Sequence, residues 1–379
     1  MKPWLLIALL ITTQMLCGSG ATPPGAFSVE NAPPALAATI REKFDLWRGP
    51  TSLRGANIWQ QRITRDDEMG SGPVGPPYSQ QDFNTLAAWG ANYVNISHPG
   101  VFTEDAEYSF DEAVFQNLQQ LIDRAEQADL FVVVSFRTGP ARREEIFDED
   151  DPKPSRLWKS KPAQAAWVEM WRETARRLKD RANIVGYDLM VEPETTKHGV
   201  WNRLARQITE AIREVDARTP ILVGAADWST VDSLDGLEPT GDTRTVYTIH
   251  QYEPYAYSHQ ESRRAAYQAA EVEALYRRIA DFKKENGVPV AVNEFGVERF
   301  AGSASDYVAL QMRLIEAMGA NHALWLWETS FPLDYDEFNF RFGADGKNHH
   351  DVATSALIEA IKADWANNAV RPSSVGQRF

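Results

Sequence analysis

Two acidic residues stand at the ends of apolar runs far apart in the chain, and their placement suggests chemistry. Glu192 lies in Val191-Glu192-Pro193-Glu194, after the run 184–190, and Glu294 lies in Asn293-Glu294-Phe295-Gly296, after the run 289–292. A carboxylate just past a buried strand is costly unless charge partners or a substrate meet it. A structural ion pair would meet that need. So would work on a glycosidic bond, which requires two carboxyls facing one another across a cleft. One stays protonated to assist the leaving oxygen, and the other attacks the anomeric carbon or activates water. Burial and mutual repulsion would push one pKa up and leave the other low.

Bringing these residues together requires a scaffold whose strand ends converge. Strand-like apolar segments recur at 52–58, 92–97, 130–136, 184–191, 220–224, 245–250, 289–296 and 322–327, and most are followed by helix-like segments. Ser79 with Asp82 caps a helix carrying Phe83, Leu86 and Ala87. Ser109 with Glu112 is expected to box the next, whose Val114, Phe115, Leu118, Leu121, Ile122 and Ala125 follow a 3.6-residue period. Pro162 opens a third, and Val352–Trp365 closes the series. Only the fifth strand has a poorly marked helix behind it. Eight strand–helix units predict α/β architecture, a single (β/α)8 TIM barrel with long βα loops, whose C-terminal strand ends carry the active groups. An open doubly wound sheet is the alternative, but no glycine-rich phosphate loop follows the first strand.

The expected organisation is a signal peptide at 1–21, an N-terminal arm at 22–44 with a helix near 35–47, the barrel at 45–367 and a tail at 368–379. Lys2, an apolar core from Trp4 to Leu16, and small residues Gly18 to Ala21 have the layout of a secretory signal. That core is too short to span a bilayer. Secretion or periplasmic export from a bacterium is therefore expected, with lipidation at Cys17 ranked second because Leu16 precedes it. Cleavage after Ala21 removes the only cysteine, which excludes disulfides and thiol catalysis. The chain has 379 residues with 43% hydrophobic content, enough for a full core, and a formal net charge of −14. That charge disfavours nucleic acid and anionic membranes, and it leaves neutral oligo- or polysaccharide as a compatible partner. The chain is expected to be a monomer.

The chain resembles glycoside hydrolase family 5, the cellulase-type retaining β-glycosidases, as a divergent member. The resemblance covers most of the chain through Arg54-Gly55-Ala56-Asn57, the Glu192 segment, His250-Gln251-Tyr252, the Glu294 segment and Trp325 or Trp327. It implies Glu192 as acid/base, Glu294 as nucleophile, His250 and Tyr252 as groups that orient the pair, and a strand-eight Trp as sugar platform. It implies no metal or organic cofactor, and β-1,4-glucan or mannan as default substrate. Three departures stand out. Val191 replaces the Asn that usually precedes the acid/base and bonds the sugar 2-hydroxyl. Asn95 corresponds to the family's strand-two Arg, and Arg137 to its strand-three His. Arg137 is therefore expected to reach across and supply the missing cation to Glu294.

Other residues compete for the site. Trp325 and Trp327, two apart on one strand, are expected to share a face and offer platforms, though either could be core. Asn57, Trp59, Trp228 and Tyr255 are further substrate-binding candidates, and Tyr257 lies in the same loop as Tyr255. Glu328 is the best alternative carboxylate, while Glu194 reads as a solvated loop charge. His349-His350 lacks a third metal ligand at telling spacing, and Asp148–Asp151 lacks the glycine of a calcium loop, so no metal is expected. The rival class is a catalytically impaired barrel that binds glycan, on the strength of the departures at Asn95, Arg137 and Val191. A metal-dependent barrel hydrolase lacks a His/Asp ligand set.

Overall fold

The computed structural model describes residues 40–63, 69–148, 153–260, 266–329, 331, 337–375 and 379. The expected signal peptide, most of the arm and part of the acidic run Asp148–Asp151 lie outside them. Eight parallel strands close into a ring: β1 (Arg54–Trp59), β2 (Tyr93–Pro99), β3 (Phe131–Thr138), β4 (Ile184–Asp188), β5 (Ile221–Gly224), β6 (Thr245–Gln251), β7 (Val290–Phe295) and β8 (Asn321–Leu324). β1 pairs with both β2 and β8, so the sheet has no edge and is not an open doubly wound one. Helices between most successive strands cover the outside.

Local chemistry accounts for the elements. β3 reads Phe-Val-Val-Val-Ser-Phe-Arg-Thr and is buried along its whole length, as a strand covered on both faces must be. α1 (Gln80–Ala88) starts at the expected Ser79–Asp82 capping box. α2 (Glu112–Gln127) buries its six predicted apolar positions. Its cap is Asp111, whose carboxylate accepts from the Val114 amide, and not Ser109. α3 (Lys161–Leu178) carries Pro162 in its first turn, where its missing N–H costs nothing. Further on come α4 (His198–Arg213), α5 (Ala269–Asn286), α6 (Ala304–Ala317) and α7 (Ala356–Trp365). β5 is followed only by a 3-10 turn, Val231–Gly236, which explains why no helix pattern was visible there.

Several expectations need correction. β4 stops at Asp188, so Val191 and Glu192 lie beyond the sheet in a loop. β8 stops at Leu324, which leaves Trp325 and Trp327 without the alternation of a strand. A short hairpin, Gln61–Arg62 with Val74–Gly75, was missed because its sequence is rich in turn residues. Residues 40–44 at the end of the arm and tail residues 368–375 join the domain. A 3-10 turn at Lys43–Trp47 seals the N-terminal end of the barrel, where Trp47 donates to the Val185 carbonyl at 2.9 Å. Phe44, Leu46, Trp47 and the tail residues Val370 and Val375 are buried with inward residues Val133, Val185, Leu222, Val246 and Ala291. Each such side chain contributes about 1.5–3 kcal/mol. Asn368 donates to the carbonyls of Arg54 and Gly90, so the domain runs past residue 367. No helix among the described residues is long and apolar enough to cross a membrane.

Gly55 pairs with Tyr93 where β1 enters the ring, and a Cβ added there would meet the Tyr93 carbonyl oxygen at 1.8 Å. Since both strands are fixed by neighbours, Gly55→Ala should cost about 3 kcal/mol or more. Equilibrium denaturation checks this, and an unchanged midpoint would show that the barrel relaxes more easily than its packing implies.

Candidate active site

Glu192 and Glu294 meet at the C-terminal mouth, and His250 stands between them. His250 on β6 is the register partner of Glu294 on β7, so the closed sheet sets these two side by side. The His250 Nδ1 lies 2.9 Å from Glu192 Oε1 and 3.6 Å from Glu294 Oε2. Tyr252, two residues further on, donates its hydroxyl to Glu294 Oε1 at 2.8 Å. One oxygen of each carboxylate and one nitrogen of His250 lie within 4.8 Å of one another. The two carboxyl groups therefore approach to within 4.8 Å at their nearest oxygens.

Electrostatics follows from this packing. Burial opposes a charged imidazole, but Glu294, the Glu192 hydrogen bond and the fields of Glu192 and Asp188 outweigh it, pushing His250 up to about 9. Burial likewise pushes the Glu294 carboxyl up to about 7. The His250 charge opposes this, Glu192 adds to it, and the Tyr252 hydrogen bond opposes it. At neutral pH the imidazole is thus a cation, set between two carboxyls that would otherwise repel each other.

Arg137 does not make the expected contact with Glu294. Its guanidinium is bound to Glu144 at 2.6 Å and to Ser97 Oγ at 3.2 Å, and it lies 4.2 Å from the centre of the Phe147 ring. Its field on Glu294 ranks behind burial, His250, Glu192 and Tyr252. The nearest cation to Glu294 is supplied by His250. The sequence offered no sign of this, because Glu144 and Phe147 belong to a loop that only the fold brings back over the mouth.

Asn57 and Asn95 are buried in the barrel interior and do not line a substrate site. Asn57 donates to the carbonyls of Asn293 and Ala323, and Asn95 donates to Asn57 Oδ1 at 2.7 Å. Ser135 donates to Asn95, and Asn293 donates to the buried carboxyl of Asp188 at 2.5 Å. This polar layer links β1, β2, β3, β4 and β7.

The aromatic candidates separate clearly. Trp59 and Trp325 both lie near Arg137, with ring centres 5.8 and 5.9 Å from its guanidinium carbon, so they belong to the mouth. Trp59 is held by its indole N–H on Glu328 at 2.9 Å. Trp327 is fully buried, edge-on to Trp89 at 5.1 Å with Arg341 over its ring. It is a core residue and shares no face with Trp325. Trp228 meets Phe147 edge-on at 6.0 Å, beside the same arginine. Tyr255 is exposed and stacked on His259, with ring centres 3.7 Å apart, while Tyr257 is buried. Glu328 is buried against Trp59 and is no rival to the pair. Glu194 is not solvated, since it pairs with Arg142 at 2.9 Å and accepts from the Trp158 indole at 2.6 Å.

Two groups among the described residues have ligand atoms close enough for a metal ion: Glu192, His250 and Glu294, and separately Glu316, His322 and Asp364. Each has positive charge of its own, from His250 in the first and from Arg54 on Glu316 at 2.6 Å in the second. His349 and His350 belong to neither.

Barrel and carboxylate pair together define the class, a glycoside hydrolase barrel. The chain belongs to glycosyl hydrolase family 5, since the model of the family described as cellulase (glycosyl hydrolase family 5) matches residues 50–330. Endoglucanase C of Acetivibrio thermocellus is 25% identical over 218 residues, covering 55% of this chain and 61% of that protein. Cellulase CelDZ1 of Thermoanaerobacterium is 24% identical over 247 residues, or 63% and 57%. The match thus spans about three fifths of these relatives' length. A cellobiose complex of Thermotoga maritima Cel5A has a TM-score of 0.66 at 19% identity, covering 84% of this chain and 99% of that one. Its mannotriose complex scores 0.64 at 19% identity, with 85% and 98% covered. These likenesses establish the fold.

The His250 imidazole should remain protonated at pH 7 and titrate near pH 9 in an NMR titration. Glu294→Gln removes the strongest influence that favours the cation, so the midpoint should fall by about one pH unit or more. An unmoved midpoint would mean that the imidazole does not sense this carboxyl.

Proposed function

We propose that the chain is a retaining β-glycoside hydrolase, with Glu294 as nucleophile and Glu192 as acid/base. The observation that carries this reading is the approach of the two carboxylates to one imidazole nitrogen, their nearest oxygens within 4.8 Å. Retaining enzymes hold their carboxyl groups about 5–5.5 Å apart, inverting ones about 6.5–9.5 Å. The short separation favours direct attack over activation of an intervening water.

In the first step a Glu294 oxygen attacks the anomeric carbon as the glycosidic bond breaks, and the Glu192 proton passes to the leaving oxygen. In the second step Glu192 takes a proton from water, whose oxygen displaces the glycosyl ester and restores Glu294. The His250 charge favours the ionised nucleophile against the burial that opposes it, and the Tyr252 hydroxyl fixes one of its oxygens. Trp59, Trp325 and Trp228 bound the mouth near Arg137, and Tyr255 stacked on His259 offers an exposed ring for a sugar face. The proposed substrate is a β-1,4-linked glucan or mannan. Cellobiose and mannotriose, the ligands of the Cel5A complexes, support that choice. Export by a signal peptide over residues 1–21 completes the reading.

An activated aryl β-glycoside tests it. Glu294→Gln should abolish turnover. Glu192→Ala should retain the first step on this substrate, lose about 10²–10⁴-fold on a poor leaving group, and give β-glycosyl azide when azide is added. Equal background rates in wild type and both variants would instead identify a glycan-binding protein.

A further inference from the structure

We propose that Arg142 is a positioning residue that sets the Glu192 carboxyl for proton transfer, an inference that rests on the acid/base reading of Glu192. Glu192 is not delivered by the sheet. β4 ends at Asp188, and Glu192 follows in a loop with φ of +51°, the left-handed region that residues with a Cβ avoid. A side chain at such a position keeps its aim only if the surrounding structure fixes the backbone on both sides.

Arg142 does this from one side. Its guanidinium is completely buried and uses all three nitrogens. Nη2 donates to the carbonyls of Val191 and Glu192 at 2.8 and 2.7 Å, holding the peptides that enter and leave Glu192. Nη1 donates to the Arg137 carbonyl at the end of β3, and Nε donates to Glu194 Oε2 at 2.9 Å. Trp158 holds the other oxygen of Glu194. On the far side, the amides of Trp228 and Asp227 donate to the carbonyls of Pro193 and Thr195. The planar fork of an arginine suits this arrangement, because one rigid group must reach two adjacent carbonyls, a third on another strand and a carboxylate. A lysine ammonium has three donors on a flexible stem and no such plane. The side chain touches neither the reacting atoms nor the outer surface, so its effect passes through Glu192.

A merely structural arginine would, on replacement, weaken the fold and lower turnover on every substrate alike. A positioning one predicts a loss that depends on how much acid help the leaving group needs. The test measures kcat/KM, which reports the first step, for Arg142→Lys and Glu194→Gln on aryl β-glycosides with leaving groups from good to poor. Melting curves confirm that each protein is folded. Arg142→Lys should lose less than about 3-fold on the best leaving group and about 10²-fold on the poorest, with a shifted acid/base limb of the pH profile. Glu194→Gln, which keeps the partner's shape without its charge, should show the same dependence more weakly and serves if Arg142→Lys does not fold. A uniform loss along the series, or none in folded protein, overturns the proposal. Glu192→Ala on the same series separates the two failures. If it too lacks leaving-group dependence, the acid/base reading is wrong. If it alone shows it, only the role of Arg142 is.

Discussion

Glu294 is a buried carboxyl with that of Glu192 within 4.8 Å, so its ionised form needs a cation against it, and the protein supplies one by placing His250 in contact with both. At short range and low effective dielectric, repulsion between like charges is large. The imidazole answers this with a charge whose position the sheet fixes, since its register with Glu294 follows from pairing of β6 with β7. Most of what surrounds the site serves to hold that geometry. Tyr252 anchors one Glu294 oxygen, and the loop beyond β4 brings the Glu192 carboxyl to the same His250 nitrogen.

Below the pair, the barrel interior is polar where a packed apolar layer would have been simpler. Asn57, Asn95, Ser135, Asn293 and Asp188 form a connected set of hydrogen bonds just beneath the mouth. Burial pushes the Asp188 carboxyl up to about 7, against the His250 charge and against hydrogen bonds from Ser135 and Asn293. Asp188 in turn favours the charged form of His250. The layer therefore both fixes the strands that bear Glu294 and His250 and adds to the field that holds the imidazole charged. Further down, the apolar plug of Phe44, Leu46, Trp47 and Val370 closes the barrel, with the Trp47 indole N–H satisfied by the Val185 carbonyl. Rigidity below and charge above are divided between two layers of one interior.

The fold was legible because its signals are local. Apolar, β-branched runs and capped 3.6-period segments mark strands and helices wherever they occur, and closure into a ring follows from their alternation. Glu192, Glu294, His250 and Tyr252 were legible for a related reason, since each lies at or just past a strand end. What failed depended on where a strand stops. Two-residue spacing relates Trp325 to Trp327 only while the chain stays extended, and β8 ends at Leu324, so one ring faces the mouth and the other packs against Trp89. Asn57 lies within β1, and its depth in the barrel depends on stagger that no single strand reveals. Charges were read worst. Glu194 and Arg142 look like surface residues in a charged loop, yet they neutralise each other out of water, and a pairing 52 positions apart leaves no local trace.

The same logic explains how the chain carries Val191 where the family resemblance leads one to expect Asn. Beyond Asp188 the backbone has left the sheet, and Val191 contributes to the site through its peptide groups. Its amide donates to the Phe136 carbonyl, and its own carbonyl accepts from Arg142. Its side chain is almost wholly buried, so an amide in its place would have to find hydrogen-bond partners away from water or displace its neighbours. An apolar residue there needs no such partner and packs within the loop that carries Glu192. Holding Glu192 by a buried guanidinium outside the sheet, and not by the strand itself, transfers the precision of this wall from strand register to one set of charge-assisted hydrogen bonds. On the opposite walls, His250, Tyr252, Trp59 and Trp325 stand on or next to strands whose register is fixed.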